Sequence, residues 1–244
     1  MKNINQIFRR IFKKENKIYN FKTSSLVTLF LLRISLFFSF IFILLRFEPN
    51  KITYLNFFLS LISIILMFIG SANSVSIAII IFFICYLLDF CDGCIARYLN
   101  ASSHYGRFID GLSDIFLKSF LVLAIAYYGF NFLNNKHILI AGSLSALLAS
   151  FDTFILDRYS ALIRWYNQKF NENISPYIYK KIIPNKLSFF YNDAYVLLVG
   201  LIFFTNQNEK QLYYNLIFLF GIIIISAMHN IIAHLFLFHK NVKH

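Results

Sequence analysis

Charge is scarce in this chain. Asp, Glu, Lys and Arg make up 14% of its 244 residues, where soluble domains carry about a quarter. That shortage, beside 59% hydrophobic and 19% aromatic residues, excludes an ordinary water-facing fold. Acid is the scarcer sign, with 11 Asp+Glu against 23 Lys+Arg and a net charge of +12. In a soluble protein such an excess would suggest nucleic acid. Here most of the basic residues stand between apolar blocks, where they orient spans and meet anionic headgroups, so membrane lipid is the expected partner and nucleic acid is not. Cysteine is scarce too. Cys85, Cys91 and Cys94 share one apolar block, and the CxxC pair has no second pair to complete a zinc site; all three are expected to be small helix residues. The first 23 residues are polar and basic, so no cleavable signal peptide is expected. Repeats and low-complexity linkers are lacking, and so is the alternating pattern of a membrane barrel.

What the chain has is apolar runs of about twenty residues, the length a helix needs to cross a ~30 Å hydrocarbon core. They fall at about 25–46, 53–70, 76–99, 107–130, 137–157, 187–205 and 211–237, with one longer polar segment at about 158–186. The expected fold is an all-α integral membrane protein, a bundle of six core spans behind an N-terminal membrane-associated segment, residues 1–48. The basic head carries Lys2, Arg9, Arg10, Lys13, Lys14, Lys17 and Lys22 among Ile7, Phe8, Ile11 and Phe12, which suits an amphipathic helix on an anionic surface and equally a basic tail. If the last six blocks each span once, one face receives twelve Lys and Arg and the other only Lys136 and Lys210; the positive-inside rule puts the twelve in the cytoplasm. The 25–46 block breaks this count, and Arg33 near its middle is costly at bilayer depth. A tilted, interfacial or re-entrant segment is therefore expected there rather than a seventh span.

Four of the eleven acidic residues, Asp89, Asp92, Asp110 and Asp114, lie within 26 positions, in the stretch DFCDGCIARYLNASSHYGRFIDGLSD. Asp89 and Asp92 are spaced i, i+3 and share a helix face with Gly93 and Ala96. Asp110 and Asp114 are spaced i, i+4 on the next helix, behind a turn expected around Asn100–Gly106. An antiparallel hairpin lets all four converge. Carboxylates clustered near hydrocarbon repel one another and are expensive to desolvate. A bound cation relieves both costs, and hard oxygen ligands suit Mg²⁺ or Mn²⁺ with substrate phosphates. Gly93 and Ala96 leave room for a large ligand, and Arg97 offers a fork suited to phosphate. A cation- or proton-coupled transporter also uses intramembrane acids; it accounts for the carboxylates but not for the ordered Gly, Ala, Arg and Gly among them.

This stretch resembles the signature of the CDP-alcohol phosphatidyltransferase family, D-x2-D-G-x2-A-R-x8-G-x3-D-x3-D, at all eight fixed positions, and Pro49-Asn50-Lys51-Ile52-Thr53 is similar to the family's P-N-x-x-T entry to its first span. The resemblance covers about residues 49–237 and implies a transferase domain over 49–244. It also implies roles for the matching positions. Asp89, Asp92 and Asp110 would hold two divalent cations, Mg²⁺ or Mn²⁺, on the CDP diphosphate. Asp114 would join that site and serve as general base. Gly93, Ala96, Arg97, Ser103, Gly106, Asn50 and Thr53 would form the CDP-alcohol site. A homodimer is implied as well. The expected reaction moves a phosphoalcohol, with CDP-diacylglycerol the expected donor and a soluble CDP-polyol the alternative, onto a hydroxyl acceptor with release of CMP. The expected location is a cell membrane of bacterial inner-membrane type, with the site facing the cytoplasm. Arg158 is the candidate for holding a phosphate-bearing acceptor, against ordinary headgroup contact. Asp157 is expected to pair with Arg158 or another basic residue, His104 to be solvated, and His229 and His234 to serve packing.

Overall fold

The computed structural model of the chain describes residues 8–9, 11–12, 26–101, 103–170 and 208–241. All regular secondary structure among them is helical: α1 Leu26–Leu44, α2 Pro49–Ile69, α3 Ala72–Leu99, α4 His104–Leu133, α5 Lys136–Phe170 and α6 Glu209–Asn241. Four are long and apolar enough to cross a membrane, namely α2, α3, α5 and α6. The remaining expected spans are α4, 30 residues long with Lys118 inside it, and the block at 187–205. That block, Lys180, Lys181, Lys186, Asp193 and most of the basic head lie outside the described residues.

Local chemistry sets the helix ends. Pro49 opens α2, where its missing N–H costs nothing, and Gly70 closes it in the left-handed region at φ 73°. Ser71 follows at once as N-cap of α3, its hydroxyl accepting from the Ser74 N–H at 3.2 Å. Two residues therefore turn α2 back on α3. Asn100 ends α3 in the left-handed region at φ 53°, with its N–H on the Ala96 carbonyl.

The chain divides into two compact units between Ser113 and Asp114, inside α4. In the first unit α3 packs against both α2 and α1. Polar side chains stitch the α2–α3 seam: Ser63 donates to the Ala78 carbonyl at 2.8 Å, and the Cys85 thiol reaches the Asn56 carbonyl at 3.7 Å. Such pairing across apolar helices is a common adhesive in membranes. The three cysteines are buried and in no disulfide, as the small-residue expectation had it. On the other side, Ile11, Leu32, Leu36 and Cys94 share one buried cluster, and the Cys91 thiol donates to the Ser35 carbonyl at 3.3 Å. α1 is one continuous helix, so no re-entrant break interrupts it. Its Arg33 guanidinium lies 4.6 Å from the Phe12 ring centroid, a cation–π contact that gives this charge an aromatic neighbour.

The second unit holds α4 from Asp114 onward, α5 and α6, the last two packed together. Close approach depends on small residues: a Cβ at Gly142 would stand 2.2 Å from that of Ala126 and 2.8 Å from the Phe220 ring. α5 runs to Phe170, thirteen residues past the expected end at 157. Tyr159, Ser160 and Ile163 are buried along one face of that extension, so amphipathic spacing continues the helix through a stretch whose composition alone looked like a loop.

Candidate metal and nucleotide site

The first unit gathers most of the motif. Asp89 and Asp92 sit one turn apart near the C-terminal end of α3, and Asp110 enters from the second turn of α4. Single carboxylate oxygens of these three lie within 4.8 Å of one another. Asp92 is buried, and its Oδ2 accepts a 2.7 Å hydrogen bond from Thr53 Oγ1 on α2. That bond crosses the helix seam and holds one carboxylate of the group in place. Three carboxylates at this spacing, half-buried or buried, form a concentrated negative site. A hard divalent cation fits that donor set by charge and ligand type. Asp114 follows Asp110 by one turn of α4 and falls in the second unit.

The expected nucleotide residues group in pairs. A Cβ at Gly93 would meet Arg97 Nη1 at 3.2 Å, so the guanidinium folds back along α3 over the bare glycine. The small residue there makes room for this chain's own arginine, a purpose the spacing did not disclose. Ala96 lies three residues beyond Gly93 and is half-buried. The turn after α3 is tighter than expected, because α4 begins at His104 and Gly106 lies inside it. Ser103 precedes the helix, its Oγ accepting from the Gly106 N–H at 2.9 Å and its carbonyl from the Arg107 N–H at 3.2 Å. A Cβ on Gly106 would stand 3.1 Å from both Asn50 Oδ1 and Ser103 Oγ. The close approach at that glycine joins Asn50, Ser103 and Gly106 in one place. Tyr54 and Tyr105 share a hydroxyl–hydroxyl hydrogen bond of 2.6 Å beside them.

Arg158 is exposed, with its guanidinium 5.2 Å from the Phe154 ring centroid. No ion pair joins it to Asp157 among the described residues; Asp157 instead accepts a Ser160 hydroxyl at its carbonyl. Four residues on, Arg164 donates to Ser160 Oγ at 3.1 Å. The second unit also buries a polar group that residue spacing did not reveal. Asn230 donates to Asp152 Oδ2 at 3.2 Å, His234 Nδ1 lies 2.7 Å from the Asn230 carbonyl, and the His234 ring packs edge-on to Tyr159 at 5.4 Å. His234 thus packs, as expected, but inside a hydrogen-bonded cluster. The available signal was Asn230 and His234 at i, i+4 on one helix, with Asp152 at depth in another. A second unforeseen residue is Asn56, buried on α2 one turn beyond Thr53.

Among known families, the one described as CDP-alcohol phosphatidyltransferase matches residues 46–167, half of the chain, spanning α2, α3, α4 and nearly all of α5. No curated protein matches the chain.

Proposed function

This chain belongs to the CDP-alcohol phosphatidyltransferase family, membrane phosphotransferases that take a phosphoalcohol from a CDP-alcohol, and on that premise we propose that it moves a phosphatidyl group from CDP-diacylglycerol to a small hydroxyl acceptor. The observation that carries this reading is the convergence of Asp89, Asp92 and Asp110 within 4.8 Å, with Thr53 bonded to Asp92.

In this reading Asp89, Asp92 and Asp110 hold two divalent cations, Mg²⁺ or Mn²⁺. Bound there, the ions would screen the diphosphate and the charge that develops on it during displacement. Thr53 fixes the Asp92 carboxylate. Arg97, folded over Gly93, presents its guanidinium to a donor phosphate. Asn50, Ser103 and Gly106, with Ala96 on α3, form the small polar corner that receives the nucleotide. Asp114 accepts the proton of the acceptor hydroxyl as its oxygen bonds to phosphorus. The bond from phosphorus to the CMP oxygen breaks, and CMP leaves with that electron pair. Arg158 and its neighbours attract an anionic acceptor.

We place this machinery in a transferase domain over residues 49–244, with six spans, a cytoplasmic site and a homodimeric assembly, and assign residues 1–48 to a membrane-associated segment. The basic residues crowded on one set of loops support the orientation; the family resemblance supports the dimer.

The test is CMP release by purified protein from CDP-diacylglycerol, and from a soluble CDP-polyol, across a panel of acceptors with Mg²⁺ or Mn²⁺. Transfer that needs both metal and one acceptor supports the reading. Undiminished CMP release in excess chelator, or metal-driven ion flux in vesicles without CMP, would refute it.

A further inference from the structure

Asn56 is 4% exposed, and its side-chain Oδ1 has no hydrogen-bond partner. A buried amide oxygen left without a donor is costly, about 1–3 kcal/mol, and an apolar residue there would avoid the cost. Two nearby donors are directed to its backbone carbonyl instead. Ser60 donates to the Asn56 carbonyl at 2.8 Å and Cys85 approaches the same carbonyl at 3.7 Å. The register of the hairpin says what the amide faces. One turn earlier on α2, Thr53 meets Asp92; at Asn56 the backbone meets Cys85. Asp89 lies between Cys85 and Asp92 on α3. Side chains on a helix lean toward its N-terminus, so the Asn56 amide is carried from the level of Cys85 toward that of Asp89.

We propose that Asn56 is a further oxygen donor to the cation held by Asp89, Asp92 and Asp110, a neutral carbonyl ligand supplied by α2. Amide carbonyls belong to the ligand set of hard divalent cations. A neutral donor adds coordination without a fourth charge, in a site where each added carboxylate raises the repulsion before metal arrives. It also ties ion binding to the α2–α3 seam, since ligands then come from both helices. The inference rests on the metal-site reading above.

The experiment is a Mn²⁺ titration of the full chain in detergent without nucleotide, read from the loss of the free-ion signal in electron paramagnetic resonance. Asn56→Leu keeps the branched shape and removes the oxygen; its dissociation constant should rise on the order of tenfold, with the melting temperature of the metal-free protein not lowered, since the stranded oxygen is gone. Asn56→Asp should bind Mn²⁺ more tightly than the parent, and this arm stands by itself if the leucine variant does not fold. Asn56→Leu within twofold of the parent, or Asn56→Asp no tighter than it, would overturn the inference while leaving the carboxylate site intact. A parent chain that binds no Mn²⁺ would remove the metal site itself and the inference with it.

Discussion

Replacing Thr53 by valine keeps the shape of α2 and deletes the hydroxyl that crosses from it to Asp92. Both residues are buried, so solvent cannot replace the lost donor, and the bond is short at 2.7 Å. A hydrogen bond to a charged group contributes about 1.5–3 kcal/mol. At ~1.4 kcal/mol per decade, that converts to roughly ten- to a hundredfold. The loss should appear in two places: a higher Mn²⁺ dissociation constant, because Asp92 is no longer held, and a lower kcat/KM for CMP release of comparable size. The melting temperature of the metal-free protein should fall as well, since the buried Asp92 carboxylate loses a donor that is present without metal. Tyr54→Phe, one residue along, is the control: it removes an exposed hydroxyl pair with Tyr105 and should leave Mn²⁺ affinity unaltered. Were Thr53→Val to bind Mn²⁺ and turn over within twofold of the parent, the bond would not position Asp92 for function.

Asp114→Asn should still bind the CDP donor, measured by equilibrium dialysis with labelled CDP-diacylglycerol in detergent, while transfer drops by at least about a hundredfold, the scale of general base catalysis; an active variant removes the base assignment. Gly93→Val places two methyl groups where Arg97 Nη1 lies 3.2 Å from a single Cβ. It should raise KM for the CDP donor in steady-state assays, and Arg97→Ala should add little on top of it if both act through the guanidinium. Gly142→Ala sets a Cβ 2.2 Å from that of Ala126 and should cost about 1–3 kcal/mol by overpacking. Heating followed by size-exclusion chromatography should show the loss, and Ala126→Gly in the same chain should restore part of it, the Phe220 contact remaining.

The chemistry-bearing stretch was legible because acids are rare in apolar runs, so four within 26 positions stand out against the background. Helix spacing then predicted that all four would converge, and single carboxylate oxygens of Asp89, Asp92 and Asp110 lie within 4.8 Å of one another. Helix ends at Pro49 and Asn100 followed from backbone chemistry that each residue carries with it. The rest depended on partners distant in sequence. Nothing local to Asn56 tells that its amide oxygen is buried without a donor; that emerges only when α2 is packed on α3. Gly93 reads as space, but which group fills the space is decided by how Arg97 turns. The end of α5 was missed because a polar composition outweighed the buried face of Tyr159, Ser160 and Ile163. Asp152 lies 78 positions from Asn230 on another helix, and only the packing of α5 on α6 brings it to the Asn230–His234 pair.

The two-residue link at Gly70–Ser71 makes the α2–α3 pair a matter of phase. Three contacts, Ser63 to Ala78, Asn56 to Cys85 and Thr53 to Asp92, follow one line down both helices from that link. Adding a single residue between Ala78 and Cys85 would leave the first contact in place and rotate everything beyond it by about 100°, swinging Asp89 and Asp92 off the seam toward another side of the bundle. Adding seven would return the acids to within roughly 20° of their original heading but push them ~10 Å farther along the axis. The apolar residues of that interval can therefore change in kind far more freely than in number.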